Sequence, residues 1–293
     1  MIRRAMERPV ASLDTALATL RSRWGSAAVR LGNGGEAVSG GRSRAADEPR
    51  VSGALALAPA PAAVPDERPD PLAPLRDDLV STGFPALDAI LGVAGLPREA
   101  SAAIRGDLSS GKTTLALRCA AEAQVQGSIV AYLDLARAFD PVEAVARGVD
   151  LRWLLVVRPA DVSEGFSLAG ALLAGRAVDL LIVDLPSRLP ARTDDALRRL
   201  AAHARRVGAR LMVLEPVSLG GPFHGALAEA TGLRLELERR DWIRLGRDVV
   251  GQHTQVTVAK NRYGPPGRHA DLEIHYLTDG DRALAAHRFA DST

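Results

Sequence analysis

Residues 106–117 read GDLSSGKTTLAL: a glycine, four variable positions, a second glycine, then Lys112, Thr113 and Thr114. The spacing G-x-x-x-x-G-K-[ST] belongs to loops whose backbone N–H groups turn inward around phosphate oxygens, backed by the positive end of a helix. Gly106, Ser109, Ser110, Gly111, Lys112, Thr113 and Thr114 are therefore the first candidate nucleotide contacts. Lys112 is placed to reach the β/γ-phosphates and Thr113 to hold Mg²⁺. A chance glycine-rich turn is the alternative. The flanks argue for the loop, because apolar AAIRG (102–106) precedes it and a helical run from Thr113 to Gln126 follows.

Working outward, SIVAYLD (128–134), VDLLIVDL (178–185) and RLMVLEP (210–216) read as buried strands, with a helix over 194–207. LRLELERR and TQVTVAKNR read as a hairpin around a polar loop, and DLEIHYL closes the series. Strand–helix alternation followed by strands alone predicts an α/β core, its mostly parallel sheet extended by antiparallel strands. Asp184 at the end of LLIVDL is placed to bind Mg²⁺ through water, or simply caps the strand.

Upstream, Leu13, Ala16, Leu17, Leu20 and Trp24 make one apolar face of a predicted helix over 12–24, and AAVRL follows as a short extended piece. Residues 33–78 are rich in Gly and Ser, then in Ala and Pro, and carry no hydrophobic period. They are expected to form a disordered linker. The predicted division is 1–32 for docking, 33–78 as linker, 79–280 as core and 281–293 as tail.

Of 293 residues, 47% are hydrophobic, enough for one full-sized core. No apolar run is long enough to span a membrane, and MIRRAMERPV lacks the apolar region of a secretory signal. The lone Cys119 rules out an internal disulfide, suits a reducing cytoplasm and reads as a core residue. Net charge is only +2, so no general basic field announces a nucleic-acid binder. The 37 basic side chains include only two lysines, Lys112 and Lys260, both candidates for sites where an ammonium is not exchangeable for a guanidinium. On the helix over 194–207, Arg198, Arg199, Arg205 and Arg206 form a basic stripe for DNA phosphates or an acidic partner, or a solvated face. In RRDWIRLGRD (239–248), Trp242 among arginines is either a partner or base-stacking contact, or a ring folded under the loop. The six histidines show no zinc spacing.

STGFPALDAILGVAGLP, GDLSSGKTTLAL, YLDLARAFDP, GVDLRWLLVVRP, VDLLIVD and VTVAKNRYGPP, in that order from residue 79 to about 280, resemble the bacterial RecA recombinase family. ALATLRSRWGSAAVRLG is similar to that family's N-terminal helix and strand, which pack onto the adjacent protomer of a filament. The resemblance implies a RecA-like P-loop core with helices on both sheet faces and ATP held with Mg²⁺ at a subunit interface. It implies that Asp140 meets the adenine amino group, that Tyr276 stacks on the base, and that Lys260 and Arg262 reach a neighbour's γ-phosphate. Leu13, Leu17, Leu20 and Trp24 become docking contacts, on self or on a RecA-family filament.

Departures from the family pattern carry equal weight. Ala136 stands where the family has its water-activating glutamate, and a lost general base costs about 10²- to 10⁴-fold in rate. The sensor glutamine position falls at Glu215–Pro216, the first DNA loop is missing, and the second is cut to about VSLGGPFHG. This combination resembles the ImuA group of mutagenesis accessory proteins, which work with a translesion polymerase-like partner. Two functions follow as expectations. One is an ATP-binding, weakly or non-hydrolysing accessory of DNA repair and the SOS response in the bacterial, nucleoid-associated cytoplasm. The other is a DNA-dependent ATPase that forms filaments on single-stranded DNA and exchanges strands. A cap that ends a recombinase filament is a third, minor reading.

Overall fold

The computed structural model describes residues 29–31, 79–190, 193–220 and 222–276. The segments expected from the sequence to form the docking helix, with Leu13, Leu17, Leu20 and Trp24, the linker and the tail lie outside them. The elements run β1 (Val29–Leu31), β2 (Leu79–Val80), α1 (Pro85–Leu91), β3 (Leu96–Pro97), β4 (Ser101–Gly106), α2 (Lys112–Val125), β5 (Val130–Asp134) and α3 (Pro141–Ala146). A 3₁₀ turn leads into β6 (Leu154–Val157), then α4 (Val162–Ala174), β7 (Leu180–Asp184), α5 (Thr193–Val207), β8 (Arg210–Pro216), α6 (Pro222–Ala230), β9 (Leu233–Leu245), β10 (Asp248–Asn261) and β11 (His269–His275).

Among the described residues, nine strands form one sheet in the order β1-β6-β5-β7-β8-β4-β9-β10-β11. From β6 to β9 every pairing is parallel, while β1, β10 and β11 are antiparallel additions at the two edges. The parallel strands are apolar on both faces because helices cover both. Ile104, Tyr132, Ile182 and Met212 pack with α1 and α2, and Ala103, Leu133, Val183 and Val213 pack with α4 and α5. β11 alternates instead, with Ala270, Leu272 and Ile274 inward and the residues between them exposed, as suits a sheet covered on one side only.

Two sequence expectations are corrected. The stretch 239–248 is not a polar loop: β9 and β10 continue through it, paired from Asp248↔Leu245 to Asn261↔Leu233, and turn only at Gly246 and Arg247. An antiparallel ribbon satisfies its backbone through pairing whatever its side chains, and Gly246 at φ 65° supplies the left-handed step such a tight turn demands. The stretch VSLGGPFHG is likewise only half loop, because α6 starts at Pro222, whose fixed φ and missing N–H suit a first helical position.

Candidate functional site

β4 lies between β8 and β9, parallel to both, and delivers Gly106 to the carboxyl end of the sheet. A Cβ on Gly106 would stand 2.2 Å from Ser110 Oγ, so any side chain there displaces the loop. Gly111, at φ 90°, turns the chain into α2 and faces Ile274, whose Cδ1 would lie 2.2 Å from a Cβ. Lys112 Nζ donates to the Asp107 carbonyl at 3.1 Å, bringing its ammonium back over the loop. Burial lowers its pKa, while Asp184 and Asp107 pull it up again. Thr113 and Thr114 are half-buried at the start of α2, and the Ser110 hydroxyl is buried without a hydrogen-bond partner. An orphaned buried donor among loop N–H groups and one ammonium is a donor set that fits phosphate oxygens.

The neighbouring strands bring carboxylates to the same end, with Asp134 and Asp184 opposite each other in the β5–β7 register. Burial pushes the Asp184 carboxyl up to about 6; the Tyr132 hydroxyl, donating to Oδ2 at 2.8 Å, and Lys112 oppose that rise, while Asp134 adds to it. Among the described residues no group of three or more acidic, His or Cys side chains forms a metal cage. Mg²⁺ normally takes one or two protein ligands together with substrate phosphates, so Thr113 and Asp184 fit it only alongside a nucleotide.

Asp134 is fully buried and committed: it accepts from Ala138 N at 2.8 Å, Phe139 N at 3.3 Å and Arg158 Nε at 2.8 Å. Ala136 N donates to the Asp184 carbonyl at 3.1 Å. Asp140 caps α3, accepting from Val142 N at 2.9 Å and Glu143 N at 3.3 Å. Sequence reasoning missed Tyr132 and Arg158, whose partners are 52 and 24 positions away in the chain.

Tyr276 follows β11 at the loop's end of the sheet and donates to Gln252 Oε1 at 2.5 Å. Trp242 is neither bare nor folded under a loop: its ring meets Tyr276 edge-on at 6.2 Å, and the Arg239 guanidinium stacks 4.0 Å from its centroid. Lys260 and Arg262 lie at the other end of the sheet. Lys260 pairs with Arg234, and Arg234 with Ala103 near the start of β4. Lys260 Nζ donates to the carbonyls of Ala228 and Thr231 (the latter at 2.8 Å), capping the end of α6, and Arg262 is exposed.

The arginines of α5 divide. Arg198 leans toward Asp195 (3.9 Å) and toward Glu229 of α6 (3.6 Å). Arg199 lines a groove of about 440 Å³ between α4 and α5 with Phe166 and His203. Arg205 and Arg206 are exposed in the last turn. Cys119 is buried, its thiol held protonated by desolvation.

The sensor position holds an ion cluster. Glu215, at 0% exposure, meets Arg234 Nη2 at 3.1 Å, Arg105 Nη1 at 3.4 Å and His224 Nδ1 at 2.9 Å. Arg105 directly precedes Gly106, and its Nη2 donates to the Val217 carbonyl at 3.1 Å. The cluster thus ties the phosphate-loop strand to β8, β9, α6 and the segment after Pro216.

The family model for the RecA N-terminal domain matches residues 74–224. Protein RecA of Roseiflexus sp. is 34% identical over 237 residues, covering 71% of this chain and 67% of its own. Protein RecA of Methylococcus capsulatus is 34% identical over 234 residues, covering 70% and 67%. Protein RecA of Clostridioides difficile is 31% identical over 227 residues, covering 68% and 65%. The chain spans about two thirds of the length of the curated relatives it matches.

Proposed function

The chain belongs to the RecA family, and from that premise we propose that it is a nucleotide-binding protein of DNA repair and recombination that holds ATP without turning it over briskly. Gly106, Ser109, Ser110, Gly111, Lys112, Thr113 and Thr114 cradle the phosphates; Thr113 and Asp184 take Mg²⁺; Asp140 and Tyr276 lie toward the base. Bound Mg²⁺ would supply charge neutralisation at the β/γ oxygens. Lys112 supplies the remaining positive charge from the protein.

One observation carries the reading. Ala136 offers no carboxylate to activate water, and Asp134, Asp140 and Asp184 each already accept hydrogen bonds from the protein. Asp134 holds two backbone N–H groups and Arg158, Asp140 caps a helix, and Asp184 is bound by Tyr132. In this proposal residues 1–32 dock on a RecA-family filament or a second copy, 33–78 tether them to the 79–280 core, and a translesion polymerase-like protein is the further partner, as in the ImuA group.

The second reading, a filament-forming DNA-dependent ATPase, is favoured by Lys260 and Arg262. From the sheet's far end they cannot serve their own phosphate loop; to serve a neighbour's, Lys260 has to leave the Ala228 and Thr231 carbonyls, while Arg262 is exposed. The deciding experiment measures ATP turnover with and without single-stranded DNA beside a nucleotide titration. Tight binding with slow, DNA-insensitive turnover is expected; brisk DNA-stimulated turnover overturns the accessory reading.

A further inference from the structure

Between β10 and the phosphate loop runs a line of three hydrogen bonds. The Tyr276 hydroxyl donates to Gln252 Oε1 at 2.5 Å, Gln252 Nε2 donates to Thr254 Oγ1 at 2.7 Å, and Thr254 Oγ1 donates to the Ser110 carbonyl at 3.2 Å. Its polarity is determined from one end. A carbonyl only accepts, so Thr254 must donate to it; the Thr254 oxygen then accepts from the Gln252 amide nitrogen; the Gln252 oxygen faces Tyr276, which must donate. Gln252 is 1% exposed and Thr254 0%, so water cannot take over a broken link.

We propose that Gln252 and Thr254 are positioning residues of the nucleotide site, holding the phosphate loop in its binding conformation and linking it to Tyr276. The proposal rests on the nucleotide reading above. Because the peptide unit is planar and trans, pinning the Ser110 carbonyl toward Thr254 turns the Gly111 N–H the opposite way. That N–H is one of the loop's donors. Gly111 is also seated on this strand pair, since its Cβ position lies 2.2 Å from Ile274 Cδ1 and 3.4 Å from Gln252 Nε2. Tyr276 therefore acts through its hydroxyl on the loop as well as through its ring. Trp242, edge-on to that ring, belongs to the outer end of the same line.

The test is calorimetric titration of the full chain with Mg-ADP, with thermal melting of each variant. Thr254→Val keeps the shape and removes the donor, and Gln252→Met breaks two links; each is expected to weaken ADP binding about threefold to tenfold, the worth of one buried neutral hydrogen bond. Thr254→Ser, which keeps the hydroxyl, should return to within about twofold of the parent. Tyr276→Phe keeps the ring and should still lose about twofold to fivefold. Parent-like affinity in Thr254→Val, or a Thr254→Ser as weak as Thr254→Val, overturns the role. If Thr254→Val does not fold, Tyr276→Phe at the half-buried outer end decides, and unchanged affinity there overturns it. A parent chain that binds no ADP overturns the nucleotide reading itself, and this inference with it.

Discussion

Replacing Glu215 by Gln changes almost nothing in shape and removes the charge at the centre of the cluster beneath the phosphate-loop strand. Arg234 is 4% exposed, and its Nη1 already lacks a partner. After the substitution its nearest remaining carboxylate is Glu236, 3.5 Å away and half in solvent. Arg105, 3.4 Å from Glu215, loses its counter-charge as well. Removing one member of a buried pair typically costs about 3–5 kcal/mol, because the other stays desolvated and unpaired. Since Gln still offers an oxygen to one guanidinium, we expect the lower part of that range, about 3 kcal/mol. Urea unfolding should show the midpoint falling with the slope unchanged; at a slope of about 2 kcal/mol/M the shift is about 1.5 M. Glu215→Gln combined with Arg234→Met should recover much of the loss, because the deeply buried guanidinium is removed and only Arg105, whose side chain is 19% exposed, is left without its carboxylate. A single-variant loss below about 1 kcal/mol, or a double variant as unstable as the two singles added, would refute the assignment of Glu215 as the charge that makes burial of Arg234 tolerable.

Asp184 makes the fold more stable in acid. Its carboxyl rises from an ordinary 3.8 to about 6, so the folded state binds the proton more tightly. The contribution is full below about pH 4 and is lost as pH rises through 6, roughly 3 kcal/mol in all. In Mg²⁺-free buffer the stability of Asp184→Asn relative to the parent should therefore climb between pH 4 and pH 7; a constant difference across that range contradicts the burial argument. Ala136→Glu should raise ATP turnover by at least tenfold if the missing base is the main defect, since such a group is typically worth about 10²- to 10⁴-fold; unchanged turnover moves the defect elsewhere. Leu17→Asp and Leu20→Asp are expected to abolish self-association or partner binding in sedimentation while core melting is unaltered, and intact assembly rejects the docking role.

The phosphate loop, the strands around it and the strand–helix alternation were legible because each is a local signal. Glycine spacing, an apolar run and a helical period all fall within about a dozen neighbouring residues. The extended piece AAVRL was legible too and is found as β1 on the edge of β6. The polar stretch 239–248 misled because an exposed ribbon carries no hydrophobic pattern, and its pairing partner, not its composition, makes it strand. Local residue patterns alone give the G-x-x-x-x-G-K-T spacing of a candidate phosphate loop, a carboxylate at the strand end Asp184 and alanine at position 136. Only the tertiary structure decided what those groups can do. It spends Asp134 on Arg158, sends Lys260 and Arg262 to the end of the sheet away from their own loop, and sets Thr254 under Ser110 and Glu215 between two arginines. Ser110 and Thr254 are 144 positions apart, and such meetings are set by strand order and register, which no local period encodes.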